Sequence, residues 1–241
     1  MHKEFEHYHV DVKGAIILCA GGGFNNRCNY VESGPAADQL AKMGYQCFIV
    51  NYRVSPYTVA EGALELARAI RYVRSNAAQY EINPDQITVM GFSAGRFLAA
   101  QLARAYDGDV NGTIIDASYV PDELDQASAD ASALGFVYSN LSDPASNDMI
   151  VPATDVGVIR DAAFPPTFFT CGTEDKTVSP ECVYACAAAF EEAGVTTELV
   201  KLEGLDHGFG VGMDLYGMFH EGATTWTSDF ASWLTEVYDY V

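Results

Sequence analysis

Ser93 lies in Gly91-Phe92-Ser93-Ala94-Gly95, between the apolar run Ile87-Thr88-Val89-Met90 and the helix formers of Phe97 to Arg104. Strand, G-x-S-x-G and helix in succession lift a serine out on a sharp turn. Bulky neighbours would clash in that turn, so Gly91 and Gly95 stand where a side chain does not fit. The hydroxyl then meets a helix N-terminus, whose free N–H groups and dipole favour a developing negative charge. Serine is a weak nucleophile and needs a base oriented by an acid. The stretch 204–210 offers His207 as the base, and 172–178 offers Glu174 and Asp175 as acids, with Asp206 a further candidate beside His207. Ser93, Asp175 and His207 come in the order nucleophile, acid, base, each just past an apolar run. Consecutive residues of an extended stretch point to opposite sides, so one of Glu174 and Asp175 faces the site. A side chain rarely bends back to the imidazole of the next residue, which weighs against Asp206. His2, His7 and His9 precede the first apolar run and His220 opens the last helix, where solvated or capping roles suit them better.

The elements that must position these residues alternate. Apolar runs at 15–19, 46–51, 87–90, 132–138, 167–171 and 197–202 predict strands. The unbroken hydrophobicity of 15–19 suits a parallel sheet covered on both faces. Helices are expected over about 34–43, 60–79, 97–104, 180–194 and 223–238, with Ser179 and Pro180 as N-cap and first helical residue. In the helix at 60–79, Leu64, Ala67 and Ile70 face inward. A short edge strand is expected at 5–12, an insertion over the carboxyl edge of the sheet at 106–126, and a loop or small cap at 139–163. The whole chain, 1–241, then reads as a single α/β domain with a doubly wound, mainly parallel sheet of about six to eight strands. In such a sheet ligands bind outside the carboxyl ends of the strands. Loops 20–26, 91–95, 172–178 and 203–213 share that edge. Three successive glycines, Gly21-Gly22-Gly23, let backbone N–H groups approach a ligand there. No Gly-Lys-Ser/Thr follows them, so they are not a phosphate loop.

Composition narrows the partners. The chain has 241 residues, 49% hydrophobic, with a formal net charge of −20. That charge argues against nucleic acid and anionic membrane surfaces and favours a small neutral or cationic ligand. No run is long enough to cross a membrane, and the polar stretch from Met1 to Tyr8 lacks the apolar core of a signal peptide. The six cysteines are therefore expected to be reduced thiols in the cytoplasm. Cys182 and Cys186 are four apart on a helix, but no second pair or nearby His supports a metal, and helix packing accounts for them. A homo-oligomer is left open.

From Ile16 to Phe209 the chain resembles α/β-hydrolases of the acetyl esterase type, close to the carbohydrate acetyl esterases and the feruloyl and acetyl-xylan esterases. The matching segments are Cys19 to Phe24, Gly44-Tyr45 with Asn51-Tyr52-Arg53, Ile87 to Gly95, Pro165 to Asp175, and Asp206 to Gly210. The resemblance implies an α/β-hydrolase fold with a minimal cap. It implies a serine esterase acting on short-chain carboxylic esters, such as O-acetyl groups on sugars or xylo-oligosaccharides, through an acyl-enzyme. It selects Asp175 as the acid and assigns the oxyanion hole to the N–H groups of Gly22, Gly23 and Ala94. No metal or organic cofactor is required. Ala20 stands where hormone-sensitive-lipase-like esterases have His, as in the acetyl esterases. Arg96 and Phe97 replace the usual Gly-His after the elbow. About 14 residues precede the first strand, too few for a long N-terminal cap, so an open site for short acyl groups is expected. The competing readings are a peptidase or amidase of the same fold, or a ligand-binding pseudoenzyme using the same cleft.

Overall fold

The computed structural model describes residues 12–105, 108–139 and 164–239. Six parallel strands form one sheet: β1 (Gly14–Cys19), β2 (Tyr45–Ile49), β3 (Ile87–Phe92), β4 (Ala133–Val137), β5 (Thr167–Gly172) and β6 (Thr197–Leu202), in the order β2-β1-β3-β4-β5-β6. Five helices join them: α1 (Ser33–Lys42), α2 (Val59–Ser75), α3 (Arg96–Ala105), α4 (Pro180–Glu192) and α5 (Trp226–Val237). The expected edge strand at 5–12 and cap at 139–163 lie almost wholly outside the described residues. The four inner strands are buried along their whole length, whereas β2 and β6 carry exposed positions. β6 reads Thr-Glu-Leu-Val-Lys-Leu because Glu198 and Lys201 face solvent. The doubly wound α/β class is as the sequence predicted.

Side-chain alternation divides the core in two. Ile17, Val89, Phe136 and Phe169 pack on one face under α2, α3 and α4, while Ile16, Leu18, Phe92 and Phe168 pack on the other under α1 and α5. The Phe168 ring stands 5.2 Å from that of Phe230 and 5.7 Å from that of Trp233. Burying such a ring stabilises by about 2–3 kcal/mol.

The insertion corrects the sequence reading. It runs along the outer side of α2 rather than over the carboxyl edge. Arg71, buried in the helix, donates from Nε to Ala127 O (2.8 Å) and from Nη2 to Gly108 O (3.0 Å). Arg74 donates to Ser128 O and Asp130 O, and Arg68 pairs with Asp122 and Asp125. An irregular segment has no ladder for its carbonyls, so side-chain donors must supply the partners. Arginines at a three-residue spacing present one helix face to it. Smaller corrections follow the same logic of local competition. Helix α2 ends at Ser75, where Asn76 caps it and turns follow. Helix α5 begins at Trp226, after a single 3-10 turn at Glu221–Ala223. The Ser179 hydroxyl donates to Glu181 and does not cap α4.

Candidate active site

The sheet reverses its winding direction between β1 and β3. The chain leaves β1 for β2 on one side and leaves β3 for β4 on the other, so the loops beyond the two strands diverge and open a crevice. Register places Cys19 beside Gly91, Phe92 beside Val137, and Gly172 beside Leu202, so the glycine loop, the elbow and the loops after β5 and β6 all emerge on one edge. Ser93 follows β3 with φ 45, in the left-handed region that a non-glycine residue occupies only at a strain of about 1–3 kcal/mol. A Cβ at Gly91 would stand 2.3 Å from Arg96 Cα, and one at Gly95 2.1 Å from Cys19 O. Those two glycines let the elbow close on its own helix and let the helix start touch the end of β1.

His207 lies between Ser93 and Asp175. Its Nε2 is 2.9 Å from Ser93 Oγ and its Nδ1 is 2.8 Å from Asp175 Oδ2. The Asp175 side chain is fully buried, and its other oxygen accepts from the Thr177 and Val178 amides at 2.8 Å each. Glu174 is exposed. Asp206 accepts from the Lys176 amide (2.9 Å), the His207 amide (2.8 Å) and Lys176 Nζ (3.0 Å), and so ties the two loops together. The same donors, led by the Lys176 amide, hold the Asp206 carboxyl down at about 2. Among the described residues, the amides of Gly22, Gly23 and Ala94 have no hydrogen-bond acceptor, whereas the Gly21 amide donates to Glu32 Oε2 at 2.5 Å. His220, expected to cap or to be solvated, instead pairs with Asp214 at 2.8 Å.

The BD-FAE family model matches residues 8–188, most of the chain. The chain belongs to the BD-FAE family. It is similar to an acetylxylan esterase of Xylanibacter ruminicola, 28% identical over 92% of this chain and 45% of that protein. Among solved structures it is similar to an acetyl ester-xyloside bifunctional hydrolase from Caldicellulosiruptor lactoaceticus, with a TM-score of 0.73 and 26% identity over 97% of this chain and 86% of that one. Esterase 2 of Thermogutta terrifontis, solved phosphorylated by paraoxon, gives a TM-score of 0.73 and 28% identity over 94% of this chain and 84% of that one. The chain spans about half the length, or less, of the curated relatives it matches.

Two residues of this BD-FAE site were not found from sequence. Glu32, 1% exposed, bonds both Gly21 N–H and the Tyr138 hydroxyl. Tyr138, just past β4 at φ 37, packs its ring 4.8 Å from the His207 imidazole. A signal for Glu32 did exist. It occupies the N-cap position of α1, where Ser, Thr, Asp or Asn is preferred, and its side chain makes no cap. A cavity of about 950 Å3 between α2 and the insertion is lined by Arg53, Glu61, Leu64 and Ile115 among others, and by no member of the Ser93–His207–Asp175 set. No helix among the described residues is long and apolar enough to cross a membrane, and no group of three or more His, Cys, Asp or Glu there could hold a metal.

Proposed function

We propose that the chain hydrolyses short-chain carboxylic esters, with O-acetyl groups on sugars or xylo-oligosaccharides as the substrate class, through an acyl-enzyme on Ser93. The observation that carries this reading is the continuous relay Ser93 Oγ–His207–Asp175, with contacts of 2.9 and 2.8 Å. With Nδ1–H donated to Asp175, Nε2 is the lone-pair nitrogen that takes the Ser93 proton as Oγ attacks the ester carbonyl. The tetrahedral oxygen is held by the Gly22, Gly23 and Ala94 amides, fixed donors that need no reorganisation when charge develops. The imidazolium, stabilised by the buried carboxylate, then protonates the leaving alcohol. Water, activated by the same nitrogen, releases the acid and restores the hydroxyl. The acetyl and xylan assignment draws on the names of the relatives above. The reading takes 1–241 as one domain and places it in the cytoplasm, where its free cysteines are at home.

The test is a hydrolysis screen of p-nitrophenyl esters from acetyl to decanoyl, acetylated xylo-oligosaccharides and the matching anilide. Acetyl and propionyl esters and the acetylated sugars should show the highest kcat/KM. A preference for octanoyl or longer chains would overturn the short-acyl assignment, and faster anilide cleavage would replace esterase with amidase.

A further inference from the structure

We propose that Glu32 is the positioning residue of this site: its carboxylate clamps the Gly21 amide and the Tyr138 hydroxyl, and so sets the oxyanion loop against Ser93 and the Tyr138 ring against His207. This rests on the esterase reading. The clamp is built across sequence separations of 11 and 106 residues, at 2.5 and 2.8 Å. Its two ends touch the reacting groups. A Cβ at Gly21 would stand only 2.7 Å from Ser93 Cβ, so Gly21 backbone already lies against the nucleophile. The Tyr138 ring meets His207 at 4.8 Å and Phe209 at 4.7 Å, edge to face, on the imidazole's own loop.

This bond occupies the Gly21 amide, so of the three glycine amides those of Gly22 and Gly23 are the ones left for an oxyanion. A flexible triple-glycine loop has little else to choose its orientation. Glu32 itself is anchored at the start of α1, whose dipole favours a carboxylate there. Burial nevertheless pushes its pKa up to about 7, opposed by the Tyr138 and Gly21 bonds and by nearby His207. A buried carboxyl that strains against its surroundings, and that touches no solvent, is expected where position matters to function.

The experiment compares Glu32→Gln, Glu32→Ala and Tyr138→Phe with wild type on p-nitrophenyl acetate, counting competent sites by end-point paraoxon titration. Three quantities are measured: kcat per site, KM, and affinity for a trifluoromethyl ketone that forms a hemiketal on Ser93. Misplacing a donor by about 1 Å costs on the order of 100-fold. The expected result is a loss in kcat of about 100-fold in Glu32→Ala and about 10-fold in Glu32→Gln, which keeps one acceptor oxygen, and a smaller loss in Tyr138→Phe. KM should stay within about threefold, and ketone affinity should fall in parallel with kcat/KM. Unchanged kcat per site in both Glu32→Gln and Tyr138→Phe, or lost kcat with unchanged ketone affinity, would overturn the assignment. The second-order rate of Ser93 phosphorylation by paraoxon should show the same ranking. Because it needs no acetyl substrate, it still tests Glu32 if wild type proves inactive on esters, the outcome that would sink the esterase reading instead.

Discussion

Two histidine–aspartate pairs hold the loops at the carboxyl edge, and they look alike. His207–Asp175 and His220–Asp214 both have a ring nitrogen 2.8 Å from a carboxylate oxygen. Each aspartate uses its other oxygen to accept two backbone amides: Thr177 and Val178 for Asp175, Tyr216 and Met218 for Asp214. The differences lie in what surrounds them. Asp175 and His207 come from two strand ends and are separated by 32 residues, whereas Asp214 and His220 are six apart in one loop. His207 bonds its acid through Nδ1 and offers Nε2 to Ser93, but His220 spends Nε2 on Asp214. A histidine–carboxylate bond is thus common loop carpentry. In the first pair a strained serine also stands at the opposite ring nitrogen and the acid is dry, the arrangement that a proton relay needs.

The sharpest break of the comparison is Ser93→Ala. It removes the partner that only the first pair has, and kcat for p-nitrophenyl acetate should fall by on the order of 10^6 with Tm little changed, since Ala carries the same Cβ at that positive φ. Retained activity would put the nucleophile elsewhere. Asp175→Asn should lower kcat by about three to four powers of ten, because the amide favours the wrong His207 tautomer. The same exchange in the second pair, Asp214→Asn, should leave kcat/KM within about threefold while destabilising by about 1–3 kcal/mol, read by urea or thermal unfolding. If Asp214→Asn gave the larger kinetic loss, the two pairs would have exchanged roles. Glu174→Gln, on an exposed side chain, should change neither activity nor Tm by more than experimental error.

The last expected effect is a pH dependence of stability. The Glu32 carboxyl is raised to about 7 in the fold by burial, above an unfolded value near 4.5. The folded chain therefore binds more protons than the unfolded chain between those values, and stability falls as pH rises from about 4.5 through 7. Glu32→Gln has no such proton to lose. Its Tm relative to wild type should rise by roughly 5 °C between pH 5 and pH 8, even as its turnover is lower. A constant difference across that range would show that Glu32 is not held uncharged-favouring by its surroundings.

Legibility tracked the range of the interaction. Ser93 was readable because strand, elbow and helix are contiguous, and Gly91 and Gly95 are demanded by contacts a few residues away or across one strand pair. His207 was readable because it follows an apolar run directly. Asp175 was one of three carboxylates until the resemblance chose it; the structure brings it alone to Nδ1, with Glu174 outside and Asp206 bonded to amides. The insertion was misplaced because its anchors, Arg68, Arg71 and Arg74, stand on a helix distant from it in sequence. Their partners in and just after the insertion are carbonyls and carboxylates more than 35 residues away.

What the sequence determined by itself was the alternation of strands and helices, the parallel sheet and Ser93 and His207 as candidates for nucleophile and base, since each depends on local periodicity, turn chemistry and chain order. Tertiary structure alone decided that Glu32 and Tyr138, 106 residues apart, share a proton-accepting bond under the site. It also decided that His220 closes a loop while His207 faces a serine. Periodicity records which face of an element is buried, but not which buried polar group it will meet across the sheet. That meeting is set by strand order and register, which exist only once the chain is packed.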